Sequence, residues 1–187
     1  MLLAQDRYTQ DELRTLPRVC LAQTFINGLL QRPIVPEAER SQWEQRLGAD
    51  YLHFHHHCQA LIFVRRAHSA ATPQARQSAF ANAIANFEYV QRSASSAFPL
   101  MPEVYLQKGL TLRMMDRHAE AGREFVGAIK LKPDYTPAYS ALIDYYVDMG
   151  DIEEARRVLE TGLQHAPSSK ILITKRAQID ALAAPKR

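Results

Sequence analysis

The 187-residue sequence has two cysteines, seven glycines and one tryptophan, and its shortages exclude several classes of protein. With only Cys20 and Cys58, at most one intramolecular disulfide can form, and there is no Cys-x-x-Cys pair for redox chemistry. The few glycines sit mostly at helix ends or repeat positions, so neither a glycine-rich phosphate loop nor a nucleophile elbow is present. No window approaches the roughly 18 uninterrupted apolar residues of a spanning helix, so no membrane crossing is expected. No block of like charge occurs either: 23 Lys and Arg face 20 Asp and Glu, mixed along the chain, for a net charge of +3. That balance argues against nucleic acid as the main partner.

Enough apolar sequence is present to build a core. Residues of apolar type make up 47% and charged residues 23%, the composition of a globular chain rather than a disordered one. The start, MLLAQDRYTQ, lacks a basic n-region and reads as an initiator methionine ahead of a processed end. In an oxidising compartment a Cys20–Cys58 bridge would stabilise the fold by roughly 3–4 kcal/mol in the chain-entropy model. In the cytosol the same residues would be two buried thiols. A periplasmic or exported location is therefore expected, with the cytoplasm as the alternative.

The periodicity is helical throughout, and no segment alternates long enough to be a strand, so the fold class is all-α. Thr9-Gln10-Asp11-Glu12 is a capping box. It predicts a helix from about Gln10 to Leu30, with Leu13, Leu16, Cys20, Phe25 and Leu29 inward and Pro17 as a potential break. After the connector QRPIVP, Pro36 is expected as a first helical residue, with EAERSQWEQRL stopping at Gly48 and Trp43 and Leu47 facing inward. A further helix is predicted from Asp50 to about Ala67. The linker HSAATPQ precedes its partner, AFANAIANFEYVQRSA, on which Ala83, Phe87 and Val90 recur at core spacing.

A repeat follows from Pro102. Pro133 and Pro167 are 34 residues apart, as are Tyr105 and Tyr139, Leu112 and Tyr146, Ala121 and Ala155, and Phe125 and Leu159. Over residues 102–167 the chain resembles the tetratricopeptide repeat family, in which each 34-residue unit is two helices and a closing proline. The first unit supplies Tyr105, Gly109, Leu112, Ala121, Phe125, Ala128 and Pro133; the second supplies Tyr139, Leu142, Tyr146, Ala155, Leu159 and Pro167. Lys108, Ile143 and Gly162 depart from the pattern, standing where leucine, a small residue and alanine are usual. SKILITKRAQIDAL resembles a first helix without its partner, the usual solenoid cap.

The resemblance implies a right-handed superhelical stack of helix-turn-helix hairpins with an N-terminal helical extension. Its expected divisions are 1–49, the extension packing on the array; 50–101, an irregular hairpin with a long linker; 102–168, two repeats; and 169–187, a capping helix and tail. It also implies a concave groove lined by first helices that receives a protein or peptide partner. Groove positions would be Leu106, Gln107, Leu110, Arg113 and Met114, then Ser140, Ala141, Asp144, Val147 and Asp148. Phe54, His57, Leu61 and Arg65 would come from the irregular hairpin, with Thr174, Lys175 and Gln178 at the far end. The lysine and asparagine set with which some family members clamp a chaperone's terminal carboxylate is absent. A partly apolar segment with a basic stretch, set against Asp144 and Asp148, is the ligand expected instead.

YLHFHHHC, residues 51–58, is the remaining chemical signal. On an α-helix His53 and His57 share a face with Asp50, an arrangement that could give zinc or copper two imidazoles and a carboxylate. Alternatively, His55 and Cys58 face the first helix while His56, Ala60 and Phe63 pack the partner helix, with no metal needed. No catalytic set and no cofactor are predicted. The function expected is that of a non-enzymatic interaction module or scaffold, an accessory of a bacterial-type envelope or assembly system. The alternatives are a metal-binding protein using Asp50, His53 and His57, and a structural homo-oligomer.

Overall fold

The computed structural model describes residues 8–23 and 35–183, and among these every element is helical. Two compact units divide near Phe98 and Pro99.

In the first unit, Thr9 caps α1 (Gln10–Arg14): its hydroxyl accepts the Glu12 N–H, and the Glu12 carboxylate accepts the Thr9 N–H at 2.7 Å. The predicted long helix stops after one turn. Pro17, extended at φ −56° and ψ 149°, becomes the N-cap of a separate short helix, α2 (Arg18–Leu21), because a proline nitrogen cannot donate to the preceding turn. Leu13, Leu16 and Cys20 are buried as expected; Phe25 and Leu29 lie outside the described residues. Helix α3 (Glu37–Leu47) starts one residue later than predicted, with Pro36 as its N-cap, and ends at Gly48 with φ +70°. Leu47 is buried, whereas Trp43 is half-buried under the Arg46 guanidinium.

The segment from Asp50 is not one α-helix. Ala49–Phe54 winds as a 3-10 helix, and α4 (His55–His68) begins only afterwards. Helix α4 pairs with α5 (Pro73–Ser93), whose Phe80, Ala83, Ile84, Phe87 and Val90 fill the interface. Several links fasten the N-terminal segment to this hairpin and to the 3-10 turn before it. Cys20 and Cys58 form a disulfide with their Cα atoms 5.5 Å apart, the Arg66 guanidinium meets Glu12 at 2.6 Å, the Gln23 amide donates to the Tyr51 carbonyl, and the Tyr51 hydroxyl donates to the Val19 carbonyl.

The second unit holds α6 (Met101–Met114), α7 (His118–Leu131), α8 (Thr136–Asp148), α9 (Ile152–His165) and α10 (Lys170–Ala183). The hairpins α6–α7 and α8–α9 follow the 34-residue period even in their turns: Asp116 (φ 59°) and Gly150 (φ 77°) are equivalent left-handed residues. Aspartate is one of the few side chains that accept this conformation. Helix α10 packs on both α8 and α9, in the place a further first helix takes. One core joins Tyr139, Ile143, Ala155, Leu159, Leu163, Leu172 and Ile179.

The three departures from the repeat pattern have packing explanations. At Gly109 an added Cβ would stand 2.5 Å from the Phe125 ring; at the equivalent pair of the second repeat, Ile143 is large and Leu159 is smaller than phenylalanine, so the same space is filled from the other helix. Gly162 leaves room for Tyr139, whose ring would lie 2.9 Å from a Cβ there. Lys108 is not solvated: its ammonium pairs with Glu124 at 3.0 Å, and the two side chains are 11% and 16% exposed. In the second repeat Leu142 and Val158 occupy the corresponding positions, so a charged pair in one hairpin replaces an apolar pair in the next.

Candidate partner-binding surface

The first helices of the second unit, α6, α8 and α10, carry the predicted groove residues, and their side chains separate into core and surface. Leu106 is 5% exposed and Ala141 6%, so neither can meet a ligand without unpacking. Gln107, Leu110, Arg113, Ser140, Asp144 and Val147 are half-buried, and Met114, Asp148, Thr174 and Gln178 are exposed. This follows from helix geometry: on α6, positions 106, 110 and 114 form a single i, i+4 row that climbs from the buried interior to the rim.

The charges on this face are closed within the protein. Arg113 of α6 reaches Asp148 of α8 at 2.6 Å, and Lys175 of α10 bonds Asp144 of α8. Each pair bridges successive first helices. Lys175 and Asp144 are mostly covered, with side-chain exposures of 16% and 28%, so the bond is more than a surface contact screened by water. Asp144 and Asp148 were expected to await a basic ligand; instead each already has a cation from the neighbouring helix. At the N-terminal end of α6, Glu103 accepts hydrogen bonds from the Tyr135 hydroxyl and from the Gln107 amide. Burial and this carboxylate raise the Tyr135 hydroxyl pKa, so it stays protonated as the donor.

In the first unit, the four candidates divide differently. Phe54 and His57 are core residues, 1% and 2% exposed, stacked with ring centroids 4.4 Å apart; Phe87 meets the His57 ring edge-on. Leu61 and Arg65 are half-buried. Burial pushes the His57 pKa down to about 3, so the ring is neutral, and its Nδ1 has no hydrogen-bond partner. An imidazole in that setting behaves as an aromatic filler.

The rest of the histidine run follows the change of helix type. Asp50 and His53 belong to the 3-10 turn and His57 to the α-helix, so the shared α-helical face predicted for them is not formed. The Asp50 carboxylate accepts the Ser95 N–H, and His53 lies against Tyr89. His56 Nδ1 is 2.7 Å from the Asn86 side chain on α5, and its ring packs on Tyr89; His55 Nδ1 is 2.6 Å from the Leu52 carbonyl. Burial holds the His56 pKa below the usual histidine value. Among the described residues no group of three or more His, Cys, Asp or Glu side chains is arranged to hold a metal ion. Neither the neutral His57 nor the internal ion pairs were legible beforehand, because both depend on contacts between helices distant in sequence.

Residues 112–179 match the family model for the tetratricopeptide repeat. No curated protein sequence matches the chain. Among solved structures, a thermophilic tetratricopeptide repeat protein of Thermus thermophilus superposes with a TM-score of 0.60 at 20% identity, over 76% of this chain and 71% of that one. The second such domain of human RPAP3, solved in complex with an HSP70 peptide, aligns at a TM-score of 0.46 and 18% identity, over 67% of this chain and 98% of that one. The first such repeat domain of Spaghetti (RPAP3), bound to an HSP90 peptide, aligns at 0.47 and 20% identity, over 68% and 96%.

Proposed function

Residues 112–179 belong to the tetratricopeptide repeat family, and from that premise we propose that the protein is a non-enzymatic interaction module whose first-helix face binds a segment of a protein partner. The observation that carries this is the pairing of charges between successive first helices, Arg113 with Asp148 and Lys175 with Asp144. Cross-helix pairs hold the face in one shape before a partner arrives, which lowers the ordering cost of binding. They also neutralise it, so the partner segment supported here is mainly apolar, meeting Leu110 and Met114, rather than basic. Met114 is 40% exposed, an apolar contact available at the rim.

An accessory role in an envelope or assembly system belongs to the same proposal. Its support is the Cys20–Cys58 disulfide, with both cysteines 0% exposed, a bond that oxidising compartments preserve. The test is affinity capture from the native source with the full chain and with a Leu110→Glu/Met114→Glu variant, after thermal melts show that both fold. A partner retained by the first and lost by the second supports the reading. Partners held equally by both would show that the first-helix face is not the site.

A further inference from the structure

The opposite side of the second unit, formed by the second helices, has two adjoining clefts. One, of about 330 Å³, lies between α7 and α9 over α8, floored by Val126, Ile129, Leu142 and Val158. The other, of about 450 Å³, runs between α7 and α8 and is walled by Tyr145 and Tyr146. They share Val126, Lys130 and Leu142 and so form one trench. Space exists because α7 presents small residues to it. A Cβ on Gly122 would stand 3.3 Å from the Tyr145 ring, so any larger residue would narrow the second cleft.

The trench is apolar at its floor and positive at its rim. Arg123 and Lys130 are exposed, and Arg157 lines the third edge. Only one lining carboxylate opposes them: Glu154, which meets Arg157 at 2.5 Å. Arg123 lies near Glu120, but the Glu120 carboxylate is bonded to Arg117 at 2.7 Å. Among the described residues Lys130 has no ion-pair partner. The first-helix face differs in this respect, because its cations are matched by Asp144 and Asp148 within the protein. Unmatched positive charge beside accessible apolar surface favours an acidic partner with an apolar anchor.

We propose that this trench docks a short acidic protein segment carrying a bulky apolar side chain. The apolar group enters between Val126, Ile129 and Val158, above the buried Leu142, and flanking carboxylates meet Lys130 and Arg123. A cleft of this size is at the small end of the ~300–1,000 Å³ range of ligand sites, so it suits one or two anchoring side chains and not a folded ligand. The rim charges are exposed, so affinity falls as ionic strength rises.

The test is fluorescence anisotropy on the full chain with three synthetic peptides of equal length. The first is rich in Asp and Glu around a central Leu-Phe pair, the second replaces that pair by Ser-Ser, and the third replaces the acids by Lys. The expected result is binding of the first peptide, with the other two weaker by about tenfold or more. Arg123→Glu/Lys130→Glu should weaken the first peptide at least about tenfold with an unchanged thermal melt, whereas Leu110→Glu/Met114→Glu should leave it unchanged. Three results would overturn the proposal: no binding of the first peptide, equal or tighter binding of the Ser-Ser or Lys peptide, or binding insensitive to Arg123→Glu/Lys130→Glu. Loss on Leu110→Glu/Met114→Glu instead would assign the peptide to the first-helix face, sinking the trench while leaving the proposed function standing.

Discussion

Replacing Lys108 by alanine should destabilise the α6–α7 hairpin by about 3 kcal/mol, because it leaves the Glu124 carboxylate charged in a site where its side chain is 16% exposed. That figure is the lower end of the roughly 3–5 kcal/mol seen when one partner of a buried pair is removed, chosen because neither side chain is fully enclosed. The second repeat supplies the control, since it packs Leu142 and Val158 at the same two positions. Lys108→Leu combined with Glu124→Val should therefore recover most of the loss and end within about 1 kcal/mol of the parent, or above it, as apolar replacements of buried pairs often do. Native-state hydrogen exchange read by mass spectrometry over α6 and α7 isolates this hairpin from the first unit, which holds the chain's single tryptophan, Trp43. A Lys108→Ala cost below about 0.5 kcal/mol would place the pair among ordinary surface bridges. A double variant less stable than either single change would refute the equivalence of the charged and apolar pairs.

The disulfide closes a loop of sequence separation 38, so Cys20→Ser/Cys58→Ser should cost the first unit up to about 4 kcal/mol; calorimetry should show its transition falling while that of the second unit stays, and an unmoved first transition would contradict this. Gly109→Ala should destabilise by about 1–3 kcal/mol through overpacking against Phe125, and Phe125→Leu in the same chain should return part of it in urea melts, as the Leu159 and Ile143 combination implies. His57 has a folded pKa near 3, below its unfolded value of 6.5, so the unfolded chain takes up a proton first as pH falls. Stability from this group is complete above about pH 6.5 and declines between there and pH 3, by at most about 1.4 kcal/mol per pH unit. Urea midpoints of the first unit between pH 7 and 5 should therefore fall less steeply in His57→Phe than in the parent.

How much of this was readable in advance depends on the range of the interaction responsible. The all-α class, the 34-residue period, the hairpins α6–α7 and α8–α9 and the helix α10 are consequences of local rules and nearest-neighbour packing: each repeat touches only its neighbours, so spacing along the chain maps directly onto contacts. Capping at Thr9 and the stop at Gly48 are local too, and were visible for the same reason. The run from Gln10 divides at Pro17, the potential break visible in the sequence, because the proline nitrogen has no hydrogen to donate to the preceding turn. The residues of Asp50–Phe54 suit either helix type, and the tighter 3-10 winding accompanies the Gly48 turn and the ties at Tyr51 and Asp50.

The sequence by itself determined the all-α class and the repeat hairpins after Pro102, since those depend on periods of a few residues and of 34. Only the tertiary structure decided which charges meet and which remain unmatched. Arg113 finds Asp148 and Lys175 finds Asp144, each at a sequence distance greater than 30, whereas Lys130 has no ion pair among the described residues. Such pairings are set by the crossing of neighbouring helices and by the rotamers of long side chains, and neither is encoded in the spacing that identifies the fold.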